Sequence, residues 1–168
     1  ENFGYTFGNL LQLNFKAYYL DRQLATELTA EDWEIAADYV INKMTDEVID
    51  RSMKAFPREV RDLHSKEISD KLKSRKLDLK RAVHIHFCNL AKDVNITGSN
   101  KKDIFDIVRN IDGSVTIHVF KNDKAKARNE SYYQRTFFPE FTSTIYCYGL
   151  DGKDRFNISG KVKESIKL

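Results

Sequence analysis

The spacing of apolar residues changes once along this chain, near residue 93, and that single change confines the fold to α+β. Before it the apolar residues recur every three or four positions. Trp33, Ala36, Ala37, Val40, Ile41 and Met44 predict one helix, opened by the capping box Thr29-Ala-Glu-Asp32. Thr45 caps a second helix, with Asp46 and Glu47 in its first turn and Val48, Ile49, Met53 and Phe56 on its apolar side. Pro57 starts a short helix. Ser65 is expected to cap a long one reaching Lys92, striped by Ile68, Leu72, Leu79, Val83, Phe87 and Leu90. The first 28 residues hold Leu10, Leu11, Leu13, Phe15, Tyr18, Tyr19 and Leu20, too apolar for a tail, and are expected to pack on this bundle.

From Asp93 the period is two. Val94 and Ile96, then Ile104, Phe105 and Ile107, predict strands. Asp112-Gly113 is a hairpin signal before Val115, Ile117 and Val119. A polar stretch over 121–130 leads to SYYQRTFF, TSTIYCYG, RFNISG and VKESIKL, each a short strand pattern. The expectation is a helical subdomain over 1–92. An antiparallel-rich β subdomain comes after it over 93–168, either sandwich-like or the start of a β-solenoid.

The β part carries an internal repeat. Residues 98–107 (GSNKKDIFDI) align without gaps to residues 149–158 (GLDGKDRFNI), giving G-x-[ND]-x-K-D-x-F-[DN]-I. VNITG (94–98) and FNISG (156–160) are a further partial echo. Glycine allows a sharp turn and a short carboxylate can hold it, so the unit reads as strand, turn, strand. Arg135, Asp151 and Asp154 are the residues expected to organise the turns and the sheet. The stretch 149–157 also resembles the calcium-binding nonapeptide of RTX proteins, G-G-x-G-x-D-x-U-x. That resemblance makes Asp154 and its repeat mate Asp103 candidate calcium ligands. Calcium takes six to eight oxygens, normally gathered between stacked turns, and Leu150 stands where the second glycine belongs. A metal-free turn is the preferred reading, without cofactor, and calcium the alternative.

Charge excludes little. The 28 basic and 25 acidic side chains leave +3, all of it beyond residue 92. This is no nucleic-acid footprint. The basic run KLKSRKLDLKR (71–81) reads as a solvated helix face before an anion-binding one. His84-Ile-His86-Phe-Cys88 offers two potential ligands on one helix face, too few for zinc, and Cys88 reads as core. The aromatic stretch from Tyr132 to Phe138 would place Tyr133, Arg135 and Phe137 on one strand face, as a packed surface rather than a base-stacking platform. Two cysteines make no disulfide framework. The three N-x-[ST] matches at Asn95, Asn129 and Asn157 read as chance, two of them inside strand patterns. No apolar run is long enough to cross a bilayer. There is no phosphate loop, nucleophile elbow or H-E-x-x-H. The opening ENFGYTFGNLL, without initiator Met or leader pattern, reads as the start of an excised piece.

The segment YYQRTFFPEFTSTIYCYGLDGKDRFNISGKV resembles a stretch of large Bacteroidetes cell-envelope proteins that join a calcineurin-like metallophosphoesterase to a surface-antigen outer-membrane barrel. LTAEDW (28–33), MTDEVID (44–50) and FPREV (56–60) resemble the region just before it. The resemblance runs from about Leu20 to the end. It implies a structural or interaction module of an envelope protein, contacting neighbouring domains of its parent, with no direct membrane insertion. The phosphoesterase motif G-N-H-[DE] is absent and Asp62-Leu63-His64, the lone D-x-H match, lies in a helix pattern, so no catalytic role passes to any residue here. An enzymatic reading would need a pocket completed by upstream sequence.

Overall fold

Helix starts are set by the caps. In this computed structural model, which describes residues 3–13, 16–121, 131–163 and 165–168, Thr29 accepts the Asp32 amide at 3.3 Å while the Asp32 carboxylate takes the Thr29 amide at 2.8 Å. That reciprocal pair opens α3 (Ala30–Lys43). Thr45 accepts the Val48 amide at 3.3 Å and opens α4 (Asp46–Met53). Two short helices precede them, α1 (Leu10–Leu13) and α2 (Tyr18–Leu24). Ser65 caps nothing. α5 runs unbroken from Arg58 to Ala91, because the Pro57 carbonyl takes the Arg61 amide at 2.9 Å and neither glycine nor proline occurs between those two ends.

The chain divides into two compact units, Glu1–Lys16 with Leu28–Phe87, and Ala17–Glu27 with Cys88–Leu168. The boundary expected after residue 92 therefore falls inside α5, and residues 17–27 cluster with the strands. In the helical unit the basic run is paired with its own helices. Lys73 meets Asp50 at 2.8 Å, Lys76 meets Asp46 at 2.5 Å and Lys80 meets Asp38 at 2.8 Å. Ser69, buried, donates to Asp50 at 2.7 Å. These contacts join α5 to α3 and α4, and Ala37, Ile49, Met53 and Ala82 are buried in the same unit.

The β unit holds two sheets among the described residues. β1 (Asp93–Thr97) pairs with β5 (Thr144–Tyr148). The second sheet has the order β4 (Tyr133–Phe137), β3 (Val115–Lys121), β2 (Asp103–Arg109), β6 (Arg155–Ser159). β2 and β3 form the hairpin that Asp112-Gly113 announces. Gly113 has φ of 85°, and Asp112 accepts the Ser114 amide at 3.0 Å. β4 continues antiparallel on β3. The β1–β5 and β2–β6 pairings are parallel. Among its described residues VKESIKL supplies a parallel bridge from Lys167 to Thr144, while Ile166 enters the core. Val94, Ile96, Phe105, Ile107, Val115, Ile117, Val119, Tyr133, Phe137 and Ile145 make up the rest of that core. Arg22 donates to the Asp93 carbonyl at 2.5 Å and Tyr133 to that of Thr26 at 3.1 Å, which ties residues 17–27 to the strands.

Candidate functional site

The sequence repeat is a spatial stack. Both parallel pairings join each residue to the one 51 positions later, which is also the offset of the repeat. Val94 lies beside Ile145, Phe105 beside Phe156 and Ile107 beside Ile158. The two phenyl rings stack at 4.6 Å with 17° between their planes. Asn157 Nδ2 donates to Asp106 Oδ1 at 2.6 Å across the same ladder. The first strand–turn–strand unit is thus an inner rung and the second an outer rung laid on it.

The turns are clasped by the two repeat aspartates. Asp103, with none of its surface exposed, accepts the Ser99 amide at 2.5 Å and the Ser99 hydroxyl at 2.8 Å. Asp154 Oδ1 reaches back to the inner rung and accepts the Asp103 amide at 2.8 Å. The repeat glycines make room for these carboxylates. A Cβ on Gly98 would lie 2.9 Å from Asp103 Oδ2, and one on Gly149 would lie 2.3 Å from Asp154 Oδ2. Gly152, at φ +124°, faces the Lys101 carbonyl, which a Cβ would meet at 2.6 Å. Leu150, at the second glycine of the nonapeptide pattern, adopts φ of 64°, a left-handed conformation that costs an L-residue about 1–2 kcal/mol. Asp151 is exposed. The Tyr132 phenol is pushed upward in pKa, by burial first and then by the negative charge of Asp103.

The two candidate calcium ligands are therefore neighbours on stacked turns, and both already accept turn hydrogen bonds. Among the described residues no group of three or more His, Cys, Asp or Glu is placed to hold a metal. Arg135 places its guanidinium 4.6 Å from the Phe137 ring centroid and donates to the Thr26 carbonyl. Tyr133 and Phe137 are buried on that same face. His86 meets Trp33 edge-on at 5.3 Å, and burial raises the Cys88 thiol. Asn95 lies in β1 and Asn157 in β6, whereas Asn129, Phe15 and most of the polar stretch 121–130 lie outside the described residues.

What the two rungs do not share is burial. Phe105 and Ile107 are 0% and 3% exposed, but their repeat mates Phe156 and Ile158 are 45% and 58% exposed. The inner strand β2 has β3 on one side and β6 on the other. Among the described residues β6 is the last strand of its sheet, and all five of its residues are exposed. Tyr146, Tyr148 and Leu150 of the same rung are exposed too. No family model, curated protein or solved structure matches this chain. The chemistry of the site is therefore read from its geometry. A free strand edge offers a row of backbone donors and acceptors, and here it is flanked by apolar side chains at alternate positions. Such an edge is suited to receiving another strand.

The sequence places Phe156 and Ile158 on one strand face but gives no sign that the face is open. The available signal is the repeat itself, because two stacked copies of one unit put one of them outermost in the pair.

Proposed function

We propose that the chain is a non-catalytic structural or interaction module whose β unit presents the outer rung of a short repeat stack to other polypeptide. The observation that carries this reading is the exposed apolar edge of β6. Stacked repeats normally end in a unit with a polar outer face. The outer rung instead exposes Phe156 and Ile158. The cell-envelope setting, with neighbouring domains of the parent as partners, is supported by the sequence resemblance over LTAEDW, MTDEVID, FPREV and the 132–162 segment. Hydrogen exchange tests the interaction role. The amides of β6 should exchange quickly in the 168-residue chain and slowly in the parent protein. Equal exchange in both would refute it.

A second reading, a calcium-stabilised turn, is favoured by one observation. The two expected ligands, Asp103 and Asp154, sit on adjacent stacked turns. Calcium at about 100 times its dissociation constant would stabilise the fold by about 2.7 kcal/mol. A melt in CaCl₂ that superimposes on one in EDTA removes this reading. A rise lost in Asp154→Asn supports it.

A further inference from the structure

We infer that the outer rung takes up one further strand–turn–strand segment of the same pattern, G-x-[ND]-x-K-D-x-F-[DN]-I, from a partner polypeptide, by strand addition in parallel register. This rests on the interaction reading above and names its partner chemistry. The argument is continuity with an interface the molecule already contains. The inner and outer rungs show how this pattern recognises itself: Phe stacks on Phe, Ile lies beside Ile, and the amide of Asn157 binds the carboxylate of Asp106. The aspartate of the later rung accepts the backbone amide of the earlier one.

Each of these half-contacts is repeated, unfilled, on the outer side. Phe156 and Ile158 present the surface that Phe105 and Ile107 present to them. Asn157 has a second amide hydrogen to offer a carboxylate. The Asp154 amide stands where the Asp103 amide stands one rung below, and among the described residues no carboxylate reaches it. A segment of the same pattern would fill all four positions together. Its Phe and Ile cover the apolar pair, its [DN] residue meets Asn157, and its Asp takes the Asp154 amide. An arbitrary apolar strand would satisfy only the first two. An antiparallel copy would reverse the turn and lose the aspartate contact.

The chain supplies its own probe, a synthetic peptide with the sequence of residues 98–109, GSNKKDIFDIVR. It is titrated into the ¹⁵N-labelled chain, with a nitroxide at either peptide end. Strand addition with four matched positions should give a dissociation constant on the order of 100 μM, since the peptide must be ordered on binding. A label at the peptide N-terminus should broaden amides of the 149–153 turn, and one at the C-terminus those around Ser159. Asp103→Asn in the peptide should weaken binding about tenfold, because a charge-assisted hydrogen bond is lost. Phe105→Ser with Ile107→Ser in the peptide should abolish it, and this arm leaves the folded chain unaltered. Phe156→Asp with Ile158→Lys in the chain should do the same, with the amide spectrum elsewhere unchanged.

Reversed broadening, equal affinity for a scrambled peptide, or no binding at about ten times that concentration would overturn the proposal. If light scattering instead shows the chain dimerising alone, and Phe156→Asp with Ile158→Lys returns it to monomer, the interaction reading stands and the same-pattern partner falls. If there is neither peptide binding nor self-association, and β6 exchange in the parent is unchanged, both readings fall.

Discussion

Replacing Gly149 by alanine should disrupt the clasp between the rungs, and a double-mutant cycle can show that it does so through one side chain. The new Cβ would sit 2.3 Å from Asp154 Oδ2 and 3.0 Å from its Cγ, so the carboxylate must swing away. Its bond to the Asp103 amide, 2.8 Å long, is then lost, and that amide belongs to a residue with no exposed surface. A hydrogen bond to a charged acceptor is worth about 1.5–3 kcal/mol. Gly149 is not at positive φ, so alanine returns about 0.4–1 kcal/mol by restricting the unfolded chain. The net loss should be about 1–2 kcal/mol. Asp154→Ala alone should cost about 2 kcal/mol. Once the carboxylate is gone the alanine at 149 has nothing to displace. The double variant should therefore be no less stable than Asp154→Ala, leaving about 1–2 kcal/mol of coupling. Hydrogen exchange of the Phe105 and Ile107 amides across a denaturant series reads the cost locally. In a unit of about 90 residues it corresponds to roughly 4–8 °C of melting temperature per kcal/mol. Additive losses in the double variant would refute the argument, since Gly149 would then be required for something other than room for Asp154.

Four other expectations are open to measurement. Gly152→Ala should be worse than Gly149→Ala, by at least about 1 kcal/mol in chemical denaturation, because the obstacle at 2.6 Å is the Lys101 carbonyl and φ is +124°. Phe105→Ala should cost about 3–5 kcal/mol and Phe156→Ala less than half that, since only the first ring is fully buried; similar losses would mean the outer ring is internal core. Asp50 has its pKa lowered by hydrogen bonds from Lys73 first and Ser69 second, so its contribution is present above the ordinary carboxylate range and lost as pH falls through the lowered folded value. Helicity followed by circular dichroism should therefore drop in acid below about pH 4, and Asp50→Asn should blunt that drop. Burial pushes the Cys147 thiol up to about 11, so a thiol reagent at pH 8 should label it well below the rate of a free thiol, and labelling at the free-thiol rate would contradict its placement.

Much of this arrangement is legible in the residues, and where it is not the reason is physical. Thr29 and Thr45 announce their helices because a cap is a contact between residues three apart. Asp112-Gly113 announces its hairpin for the same reason of locality. Ser65 misleads because a serine inside a helix has the same composition signal as one at its start, and only the unbroken 58–91 ladder decides. Residues 17–27 join the strands through the carbonyls of Asp93 and Thr26, partners that no spacing rule can foresee. Within the basic run over 71–81, Lys71 and Arg81 pair with Glu67 and Asp78 at legible helical spacings, but Lys73, Lys76 and Lys80 pair with aspartates of α3 and α4 many residues away, which is invisible until the helices are packed. The candidate site divides in the same way. The repeat identifies Asp103, Asp154 and their glycines as one device. That Asp154 acts on the rung below, rather than on its own turn, is decided only by the parallel register.

The register also explains why one pattern can serve as both interior and surface. A parallel pairing at the repeat offset brings every residue beside its own copy, so a position favourable inside the stack is favourable again on the next rung. Phe105 is buried because it has a neighbour on each side, and Phe156 is exposed because it has one. Nothing in the side chains themselves distinguishes the two positions. Exchange of Phe156 and Ile158 for charged residues would leave the 0% exposed inner ring in contact with β3 and relieve an edge prone to unwanted pairing. As Phe and Ile they make the outer rung chemically equivalent to an internal one, which is the property a docking strand would recognise.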